Sequence, residues 1–148
     1  MSRLYRTGFL AVFIIALVVI LGCASEDKSP KGAVLRFIDA ARVRDIATID
    51  KVLFYQRLAI EKEGEAYLNM SATQAGRLIN VLRKNLLSSI GSGPLSKLGT
   101  IAVRIKSETI KGERAEVVIY DEKNKYETYS FLLAFDGGAW KIYKITHL

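Results

Sequence analysis

The chain opens on an unbroken apolar run from Phe9 to Leu21, preceded by Arg3 and Arg6 and closed by Gly22 and Cys23. Everything after that run is patterned rather than uniformly apolar. Residues 24–32 are small, polar and rich in breakers, the composition of a tether. Pro30 suits a first helical turn, with Ser29 as its N-cap. From Ala33 onward Val34, Leu35, Ile38 and Ala41, joined by Phe37, recur at helical spacing. Arg36, Arg42 and Arg44 fall largely on the other side, which predicts a helix to about Val43. Asp45 then reads as the N-cap of a short second helix that buries Ile46, Ile49, Val52 and Leu53. Between Phe54 and Met70 the period weakens, because Glu61-Lys62-Glu63-Gly64-Glu65 interrupts the apolar positions; this segment reads as irregular or partly helical. Ser71 and Gln74 have capping-box spacing. After them Ala75, Leu78, Ile79, Leu82, Leu86 and Ile90 trace one stripe, ended by Gly91-Ser92-Gly93-Pro94.

Past Pro94 the period changes from helical to alternating. Ile101, Val103 and Ile105 interleave with Ala102, Arg104 and Lys106, and Ala115, Val117 and Ile119 interleave with Glu116, Val118 and Tyr120. Lys111-Gly112-Glu113 and Asp121 to Lys125 supply turns. Tyr129, Phe131, Leu133 and Phe135 form an aromatic stripe, Asp136-Gly137-Gly138 is a hairpin signal, and Trp140 to Ile145 is a last strand. Four strands with short links make an antiparallel meander. Helices followed by such a meander predict an α+β domain, with the helical stripes lying on the apolar face of a curled four-stranded sheet.

The N-terminal pattern changes what the composition means. Basic residues, an apolar stretch and a small residue at its exit make an export signal. The stretch from Gly8 to Gly22 is about 15 residues, or about 22 Å as a helix, too short for about 30 Å of hydrocarbon. The whole sequence carries a net charge of +7, and loss of Arg3 and Arg6 with the signal lowers it by two. A basic surface of that size favours polyanions such as anionic headgroups; export argues against nucleic acid. Removal of residues 1–22 leaves roughly 126 residues, enough for one core and not two. The sequence has one cysteine and one histidine, so it offers neither a disulfide nor a His/Cys metal set, and it shows no cofactor motif.

Ile20-Leu21-Gly22-Cys23 resembles the lipobox of bacterial lipoproteins, with Ile20 and Leu21 less usual than the family's leucine-then-small pair. The resemblance implies cleavage between Gly22 and Cys23 and lipidation of Cys23. It divides the chain into a signal peptide at 1–22, a lipidated cysteine and tether at 23–32, and a single domain at 33–148. Two or more acyl chains anchor a protein stably without a spanning helix. Ala24 and Ser25, rather than aspartate, follow the cysteine, which by the family pattern implies the outer membrane if the source has two membranes. The mature chain is similar to the nuclear transport factor 2-like (cystatin-like) superfamily. That likeness rests on the helix Pro30 to Val43, the Arg44-Asp45 step and the closing Phe135-Asp136-Gly137-Gly138-Ala139-Trp140-Lys141-Ile142. It implies a cone-shaped pocket between sheet and helix; the catalytic residues of its enzymatic members have no counterpart motif here.

Candidate chemistry is sparse. Asp45 and Asp50 are the acids near the first helices, and Asp45 is better explained as a cap. Tyr55, Tyr67, Tyr129 and Trp140 are candidate pocket-lining residues. Val118, Tyr120, Leu132 and Ala134, with either Tyr143 or Ile142, are expected to point away from the helices and offer a face for a second copy or an envelope partner. The sequence thus points to a lipid-anchored, non-enzymatic envelope protein that binds a small apolar ligand or a protein partner. A small pocket enzyme of isomerase or dehydratase type and a purely structural lipoprotein are the alternatives. In a bacterial host the chain is expected to incorporate labelled palmitate and to fractionate with membranes, and Cys23→Ser to lose both. Label retained by the Cys23→Ser protein overturns the assignment of the attachment site.

Overall fold

A computed structural model describes residues 28–148; the signal segment, the cleavage point and Cys23 lie outside the described residues. Helix α1 (Pro30–Val43) starts where Ser29 Oγ accepts the Gly32 N–H and ends at Arg44, whose left-handed φ of 57° turns the chain. Residues 30–32 of the expected tether are therefore already helical. Asp45 caps α2 (Ile46–Val52) by accepting the Thr48 N–H and hydroxyl. The weakly patterned stretch is mostly helical, as α3 (Tyr55–Glu63) and α4 (Glu65–Leu68) separated by Gly64. Gly64 has a φ of 60°, which a side chain disfavours, so the chain breaks there rather than continuing as one helix. Helix α5 (Ala72–Ser92) opens with the Ser71–Gln74 capping box, and a 3-10 turn (Ser96–Gly99) leads to the sheet.

Strands β1 (Val103–Lys111), β2 (Arg114–Asp121), β3 (Thr128–Asp136) and β4 (Ala139–His147) form an antiparallel meander in the order β1-β2-β3-β4. The hairpin between β3 and β4 uses Gly137 and Gly138, both at positive φ, as a tight two-residue turn requires. Two bulges interrupt the ladder, one at Lys106 between Ile105 and Ser107, the other opposite Leu132 and Leu133 on β4. A curled sheet was expected; the sheet is not strongly curled.

Helix α1 supplies most of the cover. It buries Ala33, Val34, Phe37, Ile38, Ala40 and Ala41 against Val117, Ile119, Tyr129, Phe131, Leu133 and Ile142. The Phe37 and Phe131 rings meet edge to face at 6.0 Å. Three expected core positions fall outside it: Leu35 is 39% exposed, Phe135 41% and Ile46 47%. The buried arc of α1 is centred on Phe37 and Ile38, which rotates Leu35 to its margin. Helix α5 contributes less than its regular stripe predicts. It packs mainly on α3 and the 3-10 turn, with Leu82 and Ile90 buried. Ile142 and Tyr143, one of which was expected on the outer face, are both buried; the bulge beside them removes simple alternation from β4.

Among the described residues the buried core extends from Pro30 to Tyr143. Phe131→Ala is expected to cost about 3–5 kcal/mol in urea unfolding, since the cavity lies under α1. Leu35→Ala is expected to cost under about 1 kcal/mol. Equal losses would place α1 in a different rotation.

Candidate functional site

The chain segment joining α2 to α3 creates the site. Leu53 forms a parallel bridge with Ile142, and the Phe54 N–H donates to the Ile142 carbonyl at 2.8 Å. This short extension of the sheet edge brings α3, and α5 behind it, alongside β4. Between them lies a cleft of about 120 Å³, lined by Leu53, Tyr55, Leu58, Leu86, Tyr143 and Ile145 among others. Lys144 is the charged residue in its lining. Tyr143 is covered from above by the Arg57 guanidinium, 5.5 Å from the ring centroid.

Three of the polar groups beside the cleft, Asp50, Tyr55 and Arg83, are engaged with one another, whereas the buried Arg57 Nε has no hydrogen-bond partner. Tyr55 donates its hydroxyl to Asp50 Oδ1 at 2.7 Å, and Arg83 grips the same carboxylate with Nε (2.9 and 3.0 Å) and Nη2 (2.6 Å). The Arg83 hydrogen bond holds the Asp50 carboxyl below its ordinary range, outweighing partial burial. Burial, followed by the bond to Asp50, pushes the Tyr55 hydroxyl well above the ordinary tyrosine range. An ionised carboxylate with both oxygens occupied is a poor proton acceptor at neutral pH, and a tyrosine so shifted is a poor acid. The cluster is a brace: it ties α2, α3 and α5 together at the mouth of an apolar cleft.

The other residues singled out from sequence lie elsewhere. Tyr67 is half-buried on α4 and Trp140 is in the core, its ring 5.4 Å from that of Phe135. Tyr129 is fully buried on β3, with its hydroxyl reaching Glu127 at 3.4 Å and its ring 4.8 Å from the His147 ring. Burial and the Glu127 charge raise its pKa. His147 Nε2 lies 3.0 Å from Glu127 Oε2, while Lys97 Nζ lies 2.6 Å from Glu127 Oε1. The Lys97 bond is the main reason that the Glu127 carboxyl is held below its ordinary range. Sequence separation hid this cluster; only the strand register brings 127, 129 and 147 together.

On the outer face of the sheet, Val118, Tyr120, Leu132 and Ala134 are all partly exposed. Each stands opposite polar or charged neighbours: Val118 faces Ser130, Tyr120 faces Arg104 and Thr128, Leu132 faces Glu116 and Lys144, and Ala134 faces Arg114 and Lys141. The face is therefore amphipathic and basic. Among the described residues no group of three or more His, Cys, Asp or Glu is arranged to hold a metal, and no helix is long and apolar enough to cross a membrane. The sequence matches no protein-family model and no curated protein.

The Asp50 brace is expected to make stability depend on pH. Because its folded-state pKa is depressed, its contribution is fully present above the unfolded value near pH 4 and fades as pH falls through the folded value. Asp50→Asn is expected to cost about 1–2 kcal/mol at pH 7 in chemical denaturation, with the gap to wild type closing in strong acid. A gap that is unchanged from pH 7 to pH 2 would mean that the ionised carboxylate contributes nothing.

Proposed function

We propose that this chain is a lipid-anchored, non-catalytic protein of the cell envelope that holds a small apolar group in the cleft beside β4. The observation that carries the reading is the cleft itself, whose lining is aliphatic and aromatic apart from Lys144, with the Tyr55 hydroxyl at its side committed to Asp50. At about 120 Å³ it suits one ring or the end of an alkyl chain; apolar cavities of similar size take up benzene. The Gly22-Cys23 boundary supports the anchor, and Ala24 and Ser25 after it support a position on the outer membrane where the source has two membranes. Helices laid on a four-stranded antiparallel meander support kinship with cystatin-like, nuclear transport factor 2-like domains. In this version the pocket opens at the sheet's edge, where α3 and α5 overhang β4.

Titration with benzene or 1-hexanol, followed by methyl NMR, tests the reading. Saturable shifts of the Leu58, Leu86 and Ile142 methyls are expected, and Leu58→Trp, which fills the cleft, is expected to remove them. Shifts that persist in the Leu58→Trp protein, or that never saturate, would overturn it.

A further inference from the structure

On the β1 side of the sheet's outer face, away from the cleft, the bulge in β1 leaves Lys106 outside the β1–β2 pairing. Lys106, Lys125, Tyr120 and Thr128 line a notch of about 280 Å³. Nearby carboxylates are already taken. Glu122 pairs with Arg104 at 2.8 Å, Glu127 is held by Lys97 and His147, and Asp121 accepts the backbone N–H groups of Ala102 and Lys123. Neither Lys106 nor Lys125 has an ion-pair partner among the described residues. Two unneutralised ammonium groups converging on one notch fit a phosphate.

The rim of the notch says which phosphate. Tyr126, next to Lys125, is 92% exposed, and Lys123 is exposed on the same turn. An aromatic ring with a polar tip, flanked by lysines, suits the headgroup level of a bilayer; a free ion in water gains nothing from it. The turn is held in shape by bonds from the Tyr126 N–H to Asn124 Oδ1 and from the Glu127 N–H to the Asn124 carbonyl. The start of the domain is close by. The Lys31 N–H donates to Glu108 Oε1 at 3.0 Å, and Glu108 lies two residues beyond Lys106 on β1. The chain from Cys23 to Lys31 spans at most about 27 Å, enough to let this edge meet the leaflet that holds the lipid.

We infer that the Lys106–Lys125 notch and the Tyr126 turn form a second, non-covalent contact with the membrane, in which the notch takes the phosphate of an anionic lipid headgroup. The inference rests on the lipid-anchor reading for the nearness of a leaflet. The acyl chains already hold the protein to the membrane, so this contact sets orientation: it lays the β1 edge on the surface and turns the β4 cleft outward. Surface attraction by lysines is short-ranged and weakens with salt.

The test uses residues 24–148, first shown to unfold cooperatively in urea, and sedimentation with vesicles of phosphatidylcholine alone or mixed with phosphatidylglycerol. Binding is expected only to the anionic vesicles and to weaken as salt is added. Lys106→Ala with Lys125→Ala is expected to lower it about tenfold or more, and Tyr126→Ala several-fold. Lys62→Ala with Lys84→Ala removes the same charge from exposed helix positions and is expected to change binding less than twofold. Equal loss in the two double variants would mean diffuse net charge and overturn the inference. So would absence of wild-type binding, binding of inorganic phosphate without vesicle binding, or self-association through this edge in place of lipid binding. Palmitate labelling of the full chain, read separately, distinguishes failure of this contact from failure of the anchor itself.

Discussion

The contact on which the rest of the domain depends is that of α1 with the middle of the sheet, centred on Phe37 against Phe131. A four-stranded antiparallel sheet with one apolar face is not stable until that face is covered, and the long α1 arc from Ala33 to Ala41 is its principal cover. The capping at both ends of α1 serves that contact. Ser29 fixes where the helix begins, and Arg44 in the left-handed region ends it sharply enough for Asp45 to start α2 across the same face. At the far end of α1, Gly99 comes so close that a Cβ would lie 3.3 Å from Arg42 Cα. The 3-10 turn can therefore tuck Leu98 into the core.

Once α1 and α2 are placed, the β4 edge becomes the position from which the remaining helices are hung. One bridge at Leu53 and one hydrogen bond at Phe54 extend the sheet by a single step, and α3 departs from there at an angle that leaves a gap over Ile142 and Tyr143. The Asp50–Tyr55–Arg83 brace fixes that angle, because its members come from α2, α3 and α5. The same arrangement ties the Tyr55 hydroxyl to Asp50 and leaves Lys144 as the charged residue in the lining. A cleft so built favours apolar contents on hydrophobic grounds and offers few directional groups for chemistry.

The two edges of the sheet differ accordingly. The β4 edge is overhung by helices and apolar; the β1 edge is uncovered beyond Ile105 and carries lysines. A protein tied by its N-terminus to a charged surface is subject to an orienting field that a freely diffusing one is not. That asymmetry of edges gives such a field something to act on.

What the sequence determined by itself was local in physical origin. The caps at Ser29, Asp45 and Ser71, the stop at Gly93, the turns and the alternating strands all follow from short-range sterics, hydrogen bonding and periodicity, and each stands where its residues place it. The Gly22-Cys23 motif is also read from contiguous residues, but it lies outside the described residues and stands as a proposal. Tertiary structure decided which side of α1 faces the sheet, and so left Leu35 and Ile46 at the margin. It also turned the polar stretch after Phe54 into helix, because α5 and β4 supply a surface that the local pattern does not reveal. The Asp50–Arg83 brace, the Glu127–His147 contact and the Lys106–Lys125 notch join residues that are between 19 and 33 positions apart. No local rule reaches that far: strand register, two bulges and the departure angle of one helix bring those charges together.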